Sequence, residues 1–519
     1  MGSQPLFILS EDSQRTQGRD AQASNIMAGK AVSESVRTTL GPRGMDKMLV
    51  GSSGDVVITN DGATILDEMD IEHPAAQMIV EVAESQEEEI GDGTTTAAVL
   101  AGNLLSEAED LIEQEVHATT IVEGYHEAAR IAQEAIDDSV LEVSVDDEIL
   151  QQVAESSMTG KGTGGLTADV LAETVVAAIH HVASEDGVRR DDVSIHTQVG
   201  ASSSATQLVE GIVVDEEAAH DTMPKAVTDA AIAVLDIELG VRTGEVDAEY
   251  SIDSIDQLNA ALDAEEQELR RYAEQLVESE VDVVFATDDI DDRVASYLAN
   301  SGVLAFKDID SDDARKIASA TGARRVGSLD DLDASDIGNA DGVKLEQFGE
   351  DELAIVEGGA AAEAVTILVR GGTEHVVDEL ERAIMDALDV VAAALASGEV
   401  VAGAGAAELA IANAVRSAAA GIEGRRQLAV TAFADAVDVI PRTLAGNTGE
   451  DPIDALVDLR AAHESEGRAG LITDGETVTI DDPVDYGVVD PADVKREAVE
   501  SATEAATMII RIDDVIAAE

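Results

Sequence analysis

VDVVFATDDIDDRVASYLANSGVLAFKDI, residues 281–309, is the stretch on which the fold turns. Two runs rich in Val, Phe and Leu, VDVVFAT and GVLAFKDI, flank a segment patterned as a helix, and runs of that length and composition read as buried strands. Strand, helix and strand in succession mark an α/β domain with parallel strands. GIVVD (211–215) and AIAVLDI (231–237) extend the alternation upstream, so this domain covers about 211–365. Inside it, Ile252, Ile255, Leu258, Leu262, Leu269, Tyr272 and Leu276 recur at spacings of three, four or seven on an acidic background. They predict one long amphipathic helix that either packs on the domain's own sheet or projects to meet a partner.

The flanks differ in character. On the N-terminal side, AQASNIMAGKAVSESVRTTL (21–40) reads as a helix stopped by Gly41-Pro42. In GDVVITNDGATIL (54–66), Asn60-Asp61-Gly62 has the chemistry of a hairpin turn between two β-branched runs. Helical patterns fill 74–138, broken by the polar, Gly-rich GDGTTT (91–96), and SSMTGKGTGG (156–165) is a second Gly-rich break. On the C-terminal side, AVTILVRGG (364–372) is a strand closed by Gly371-Gly372, followed by a helix over about 373–396. Ala-rich helices then run to about 446, and residues 482–516 supply a last helix and strand. Helical ends around an α/β middle predict one domain inserted in another.

With 519 residues the chain is too long for one hydrophobic core and calls for roughly three domains. Hydrophobic residues make up 45%, which excludes a disordered acidic polymer, but aromatics are 2% and Trp is absent, so Ala, Val, Ile and Leu must fill the cores. The lack of Cys excludes disulfides, thiolate metal sites and thiol catalysis, and fits a reducing cytoplasm. Against 108 Asp and Glu stand 32 Lys and Arg, a formal net charge of -76. That surface repels itself in dilute buffer and tolerates compaction only when screened; at about 1 M salt the Debye length is roughly 3 Å. The charge reads as adaptation to a salty cytoplasm and argues against nucleic-acid or anionic-membrane partners. The apolar run at 6–9 is too short for a signal segment, and no run reaches a membrane-spanning length.

Chemistry is carried by few motifs. Gly91-Asp92-Gly93-Thr94-Thr95-Thr96 leads into the helix AAVLAG: free N–H groups at a helix start attract phosphate, and Thr hydroxyls add donors. Asp92 would repel phosphate unless Mg²⁺ lay between them, so the motif reads as a metal–nucleotide site or as a capped helix after a Gly turn. TGKGTG looks like a Walker A loop but lacks its upstream Gly, and Gly162 rather than Ser or Thr follows Lys161. The Gly403-Ala404-Gly405 turn before a helix is a further candidate. From the residues alone the reading stops at a multidomain protein with a candidate phosphate site.

The order of motifs goes further. TLGPRGMDKMLV, VVITNDGATIL, GDGTTTAAVLAG, SSMTGK, AVTILVRGGTEHVVDELERAIMDAL, VVAGAGAAE, QLAVTAFADAVDVIPRTLAGNTGEDPIDALVDLRAAH and SATEAATMIIRIDDVIAA follow one another along residues 15–518. This succession resembles the thermosomes, archaeal group II chaperonins related to the eukaryotic cytosolic chaperonin, and its acidity resembles a halophilic member. The resemblance implies a multidomain α and α/β chaperonin fold: a mainly helical equatorial ATPase domain (1–145 and 400–519), a small intermediate hinge (146–213 and 366–399), and an α/β apical domain (214–365). A helical lid protrusion would occupy about 245–280, where the amphipathic helix lies. The implied activity is ATP hydrolysis coupled to folding of unfolded client proteins inside a cytoplasmic double ring, with eight subunits per ring, self or paralogous. ATP and Mg²⁺, with K⁺ as a further ion, are the implied cofactors.

Residue by residue, the resemblance places Leu40, Gly41 and Pro42 beside the nucleotide, Gly93, Thr94, Thr95 and Thr96 around its phosphates, and Asp92 on Mg²⁺. Asp61 would sit near the γ-phosphate, Asp386 would position or activate the attacking water, and Lys161 would sense the γ-phosphate. Gly405, Asp490 and Lys495 would line the base and ribose side. Departures from the family pattern are Ala404 where a third Gly is usual, Ala407 for Pro, and Asp490 for Glu, a shorter reach to the ribose.

Overall fold

The structure, a computed structural model, describes residues 14–51, 54–161, 167–183, 193–200, 202–241, 255–348, 351–359, 365–473 and 477–517. The apolar run at 6–9, Gly162, Ile252 and the 245–254 part of the expected protrusion lie outside them. The chain forms two compact units, Met1–Val176 with Glu374–Glu519, and Ala177–Thr373. The insertion read from the sequence is therefore present, because one unit interrupts the other.

The first unit is a helical bundle. Helices Arg19–Val36, Pro74–Ile90, Thr94–Glu113 and Ala118–Ser139 come from its N-terminal part; Ala406–Ala419, Arg426–Val437 and Ala492–Ile510 come from its C-terminal part. All contribute to one continuous core. Its small residues let helix axes approach closely: Ala97, Ala98 and Ala101 on one helix and Ala502 and Ala506 on another are fully buried. Where a large ring is used it is fully satisfied. Tyr125 packs edge-on against Phe433 at 5.7 Å and donates its hydroxyl proton to the Leu104 carbonyl at 2.8 Å. The two ends of the chain are paired, since Gln14–Gln17 runs antiparallel to Asp514–Ala517.

Asn60-Asp61-Gly62 is not a hairpin turn. The hairpin lies upstream, with Lys47–Val50 antiparallel to Val56–Thr59. Asp61 instead caps a short helix, Gly62–Asp67, by accepting the Thr64 N–H at 2.6 Å, and Ile65 and Leu66 of that helix are buried. The apolar ATIL run follows a capping residue, and the cap decides between helix and strand. Helix Pro452–Glu466 and the hairpin of Gly470–Thr473 with Val478–Asp481 fill the stretch that sequence patterning left unassigned.

The second unit holds a seven-stranded sheet that is mixed, which corrects the expectation of parallel strands. Ala226–Leu235, Val283–Ala286 and Leu304–Phe306 are parallel neighbours, joined by helices, and Arg325–Val326 pairs parallel to the end of the first. Beyond them, Gly338–Phe348, Asp351–Glu357 and Ile212–Val214 pair antiparallel. The reason is local: the connection between Phe348 and Asp351 is too short for a crossover, so those strands can only form a hairpin. Phe285 and Phe306 stack at 5.0 Å across the parallel part. A separate three-stranded sheet sets Val365–Gly371 between Val193–Val199 and Gln207–Glu210. The amphipathic helix spans Ile255–Glu278. Leu269, Tyr272 and Leu276 of its second half are buried in this unit's core, whereas Leu262 is 52% exposed.

Candidate functional site

Within the first unit, a cavity of about 160 Å³ is lined by Leu40, Gly41, Asn60, Asp61, residues 92–96, and a segment running from Ser156 to Lys161. Three structural elements build it. Helix Thr94–Glu113 has Gly93 as its N-cap, at φ 82 and with no side-chain cap, so the first-turn N–H groups are left for a ligand. Asp92 precedes it and accepts the Gly93 N–H at 2.7 Å. Its carbonyl is held at 2.7 Å by the side chain of Gln86, which is fully buried. The second element is the short helix Gly62–Asp67, whose cap Asp61 also accepts the Thr94 hydroxyl at 3.2 Å. The third is the end of helix Asp147–Met158 and the turn that follows it, which delivers Lys161.

Asp386 comes from helix Glu374–Ser397 and is 5% exposed. Its carboxylate pairs with the Lys161 ammonium. Burial pushes Asp386 up to about 7; Lys161 opposes that shift, and Asp61 and Asp92 add to it. Burial would lower Lys161, but Asp386, Asp92 and Asp61 outweigh it and keep the ammonium charged. Glu87, half-buried on helix Pro74–Ile90, is raised to about 8 by burial and by the charges of Asp386 and Asp61. One of its carboxylate oxygens is buried without a hydrogen-bond partner. A single lysine thus balances several carboxyl groups, an arrangement that favours arrival of a cation.

On the Ser156 side, Asp490 accepts the Ser156 hydroxyl at 3.2 Å and pairs with Lys495 at 2.7 Å. Lys495 also pairs with Glu408 at 2.9 Å; its side chain is 11% exposed, and neither it nor Asp490 lines the cavity. Gly405 likewise does not line it; its Cα hydrogens face Pro441 and Leu444, and Leu444 also abuts Gly41. Pro42 backs Gly160. Ala404 adopts φ 54, a left-handed conformation that costs an alanine about 1–2 kcal/mol. Its methyl faces Gly470, where a side chain would come within 3.0 Å, so it does not crowd the cavity.

Thr39, Asn60, Ser156, Ser157 and Thr159 line the cavity without having been singled out as site residues from sequence. All five stand inside the quoted motifs, and their polar side chains within a few residues of glycines were the available signal. Glu87 had none, being one of three consecutive glutamates on a helix.

The residues present fit a magnesium nucleotide. The helix start is uncapped, the Ser157 hydroxyl lines the cavity buried and without a partner, and Asp92 keeps a second carboxylate oxygen to offer. Among the described residues no three His, Asp or Glu side chains are grouped to hold an ion by themselves. That suits Mg²⁺, which is commonly held by one or two carboxylates together with substrate phosphates.

Comparison with known proteins identifies the lineage. The model of the TCP-1/cpn60 chaperonin family matches residues 32–519. The chain belongs to that family. This chaperonin is 67% identical over 518 residues to thermosome subunit 3 of Haloferax volcanii, with 99% of each chain covered. It is 54% identical to thermosome subunit 1 of the same organism, covering 99% of this chain and 92% of that one. To thermosome subunit alpha of Halobacterium salinarum it is 53% identical, covering 100% and 92%. The chaperonin is a halophilic archaeal thermosome subunit, an ATPase, and part of a double-ring, ATP-dependent chaperone. No helix among the described residues is long and apolar enough to cross a membrane.

Proposed function

We propose that the cavity between the uncapped start of helix Thr94–Glu113 and the Lys161–Asp386 pair is where this chaperonin binds and hydrolyses ATP. The observation that carries the reading is the convergence of Asp61, Asp92 and Lys161 on one cradle of free N–H groups, with Asp386, from a fourth part of the chain, paired to Lys161. The N–H groups of residues 94–96 and the Thr hydroxyls bind the phosphates, and Leu40 and Gly41 close one wall, with Pro42 behind Gly160. Asp92 would hold Mg²⁺, with K⁺ a further candidate; the ion supplies charge neutralisation of the phosphates, which dominates phosphoryl transfer.

Asp386, when ionised, orients a water and accepts its proton at a carboxylate oxygen, and Asp61 fixes Thr94 beside the phosphate path. Lys161 keeps Asp386 ionised and meets the charge developing on the terminal phosphate. Asp490 takes the ribose hydroxyls, and Lys495 with Glu408 positions Asp490. Residues 146–213 and 366–399 act as the hinge between an equatorial and an apical domain. Leu262, exposed although it shares a helix face with buried Leu269, supports a projecting lid. Unfolded proteins are the clients, in the cytoplasm, within rings of eight. Three numbered subunits among the Haloferax relatives favour rings that mix paralogues.

ATP hydrolysis titrated with Mg²⁺ in molar KCl tests the site. Asp92→Ala should raise the Mg²⁺ concentration needed for half-maximal rate at least tenfold, the scale on which losing an ion's ligand is felt. An unchanged requirement would move the metal elsewhere.

A further inference from the structure

We propose that Asn60 is a positioning residue that sets Lys161 against Asp386, coupling the Asp61 cap to the loop that carries the site's cation. This rests on the reading of the cavity as the ATP site.

Lys161 reaches Asp386 from a tight turn. Its backbone N–H bonds the Met158 carbonyl at 3.1 Å, and Gly160 before it has φ +91. At that φ, a side chain on residue 160 would be strained and would come within 2.9 Å of the Gly41 carbonyl oxygen. The peptide therefore lies flat against residues 41–42, and its orientation decides where the lysine points. The Asn60 side chain fixes that orientation: Nδ2 donates to the Gly160 carbonyl at 2.8 Å. Asn60 is 7% exposed and directly precedes Asp61, whose backbone N–H is itself held by the Thr59 hydroxyl at 3.1 Å. At the other end of the segment, Ser156 is tied to Asp490. With both ends held, Lys161 has one approach to Asp386.

The chemistry demands a neutral donor at position 60. A carboxylate there would face a carbonyl oxygen and add a further negative charge to a cluster already containing Asp61, Asp92, Asp386 and Glu87. An alanine would leave a carbonyl without its partner and free the turn to rotate. Asn60 lines the cavity, but its Nδ2 is taken up by the Gly160 carbonyl. The loss should therefore appear in turnover and should vanish once Lys161 is gone.

A double-mutant cycle on the assembled chaperonin in molar KCl with MgATP tests this. Asn60→Ala should lower kcat about tenfold with KM changed less than about threefold, the size expected when a buried hydrogen bond that orients a reacting group is lost. Added to Lys161→Met, it should lower kcat by less than about twofold more. Asn60→Gln, which keeps the donor, should exceed Asn60→Ala in kcat. If Asn60→Ala does not assemble, Asn60→Leu, close in size and uncharged but lacking the donor, carries the cycle. Fold-losses that multiply in the double variant, or a kcat unchanged in Asn60→Ala, overturn the proposal. A wild-type protein that neither binds nor hydrolyses MgATP overturns the ATP-site reading instead.

Discussion

Replacing Lys161 by Met removes the cation paired with Asp386 while keeping the length of the side chain. In the native site, burial holds Asp386 up at about 7 even with the lysine opposing that shift. An opposite charge in contact shifts a carboxyl by roughly 1–3 units, so its removal should carry Asp386 to somewhere near 8–10. The sign follows directly. A raised carboxyl is ionised only above its own pKa, so a reaction that needs the carboxylate rises with pH through that value. At pH 7.5 the ionised fraction would fall from about three quarters to between roughly a quarter and under one per cent, a loss of about 3- to 250-fold. Steady-state ATPase measured from pH 6 to 9.5 in molar KCl reads this out. The wild-type profile should rise through about 7, and the Lys161→Met profile should rise at least one pH unit later, regaining activity at the alkaline end. A uniform loss at every pH would refute the idea that Lys161 acts by keeping Asp386 ionised.

Glu87 and Asp386, raised to about 8 and 7, keep protons that the unfolded chain releases above about 4.5, so folded stability should fall as pH rises from about 4.5 to 8. Glu87→Gln should flatten part of that slope, and its thermal midpoint at pH 8.5 should exceed that of wild type; an unchanged slope would contradict the assignment. Ala404→Gly should stabilise the protein by about 0.5–1 kcal/mol by relieving the left-handed alanine, with KM for ATP unchanged because the methyl faces Gly470. A large fall in KM would mean that the methyl does crowd the nucleotide. With a net charge of -76, dialysis from 2 M to 0.1 M KCl lengthens the Debye length to roughly 10 Å and should dissociate or unfold the rings. Light scattering that stays constant across that range would refute the salt reading.

The fold was legible where the pattern was long. The strand–helix–strand run at 281–309 and the helical ends were read correctly because apolar runs of that length admit few alternatives. Three features were misread or missed, each for a local reason. ATIL after Asp61 is short enough to suit strand or helix, and the capping bond to Thr64 settles it. Strand direction at 338–357 depended on a connection too short for a crossover. Helix Pro452–Glu466 carries its own signal, Asp451 accepting the N–H groups of Ile453 and Asp454 with Pro at the start, and that signal was readable. The site divides similarly. The Gly-Asp-Gly-Thr run reads as a phosphate site or as a capped helix, but the Lys161–Asp386 pair joins residues 225 positions apart and has no local trace. Only the resemblance put those two residues in one site.

Asp386, buried against Lys161, is the group on which ATP hydrolysis should depend. Single-turnover hydrolysis by wild type and Asp386→Ala, with MgATP binding measured in parallel, tests that dependence most directly. Asp386→Ala should bind MgATP within about threefold of wild type and hydrolyse it at least about a hundredfold more slowly, the lower end of a general-base contribution. Equal hydrolysis rates in the two proteins would contradict that dependence.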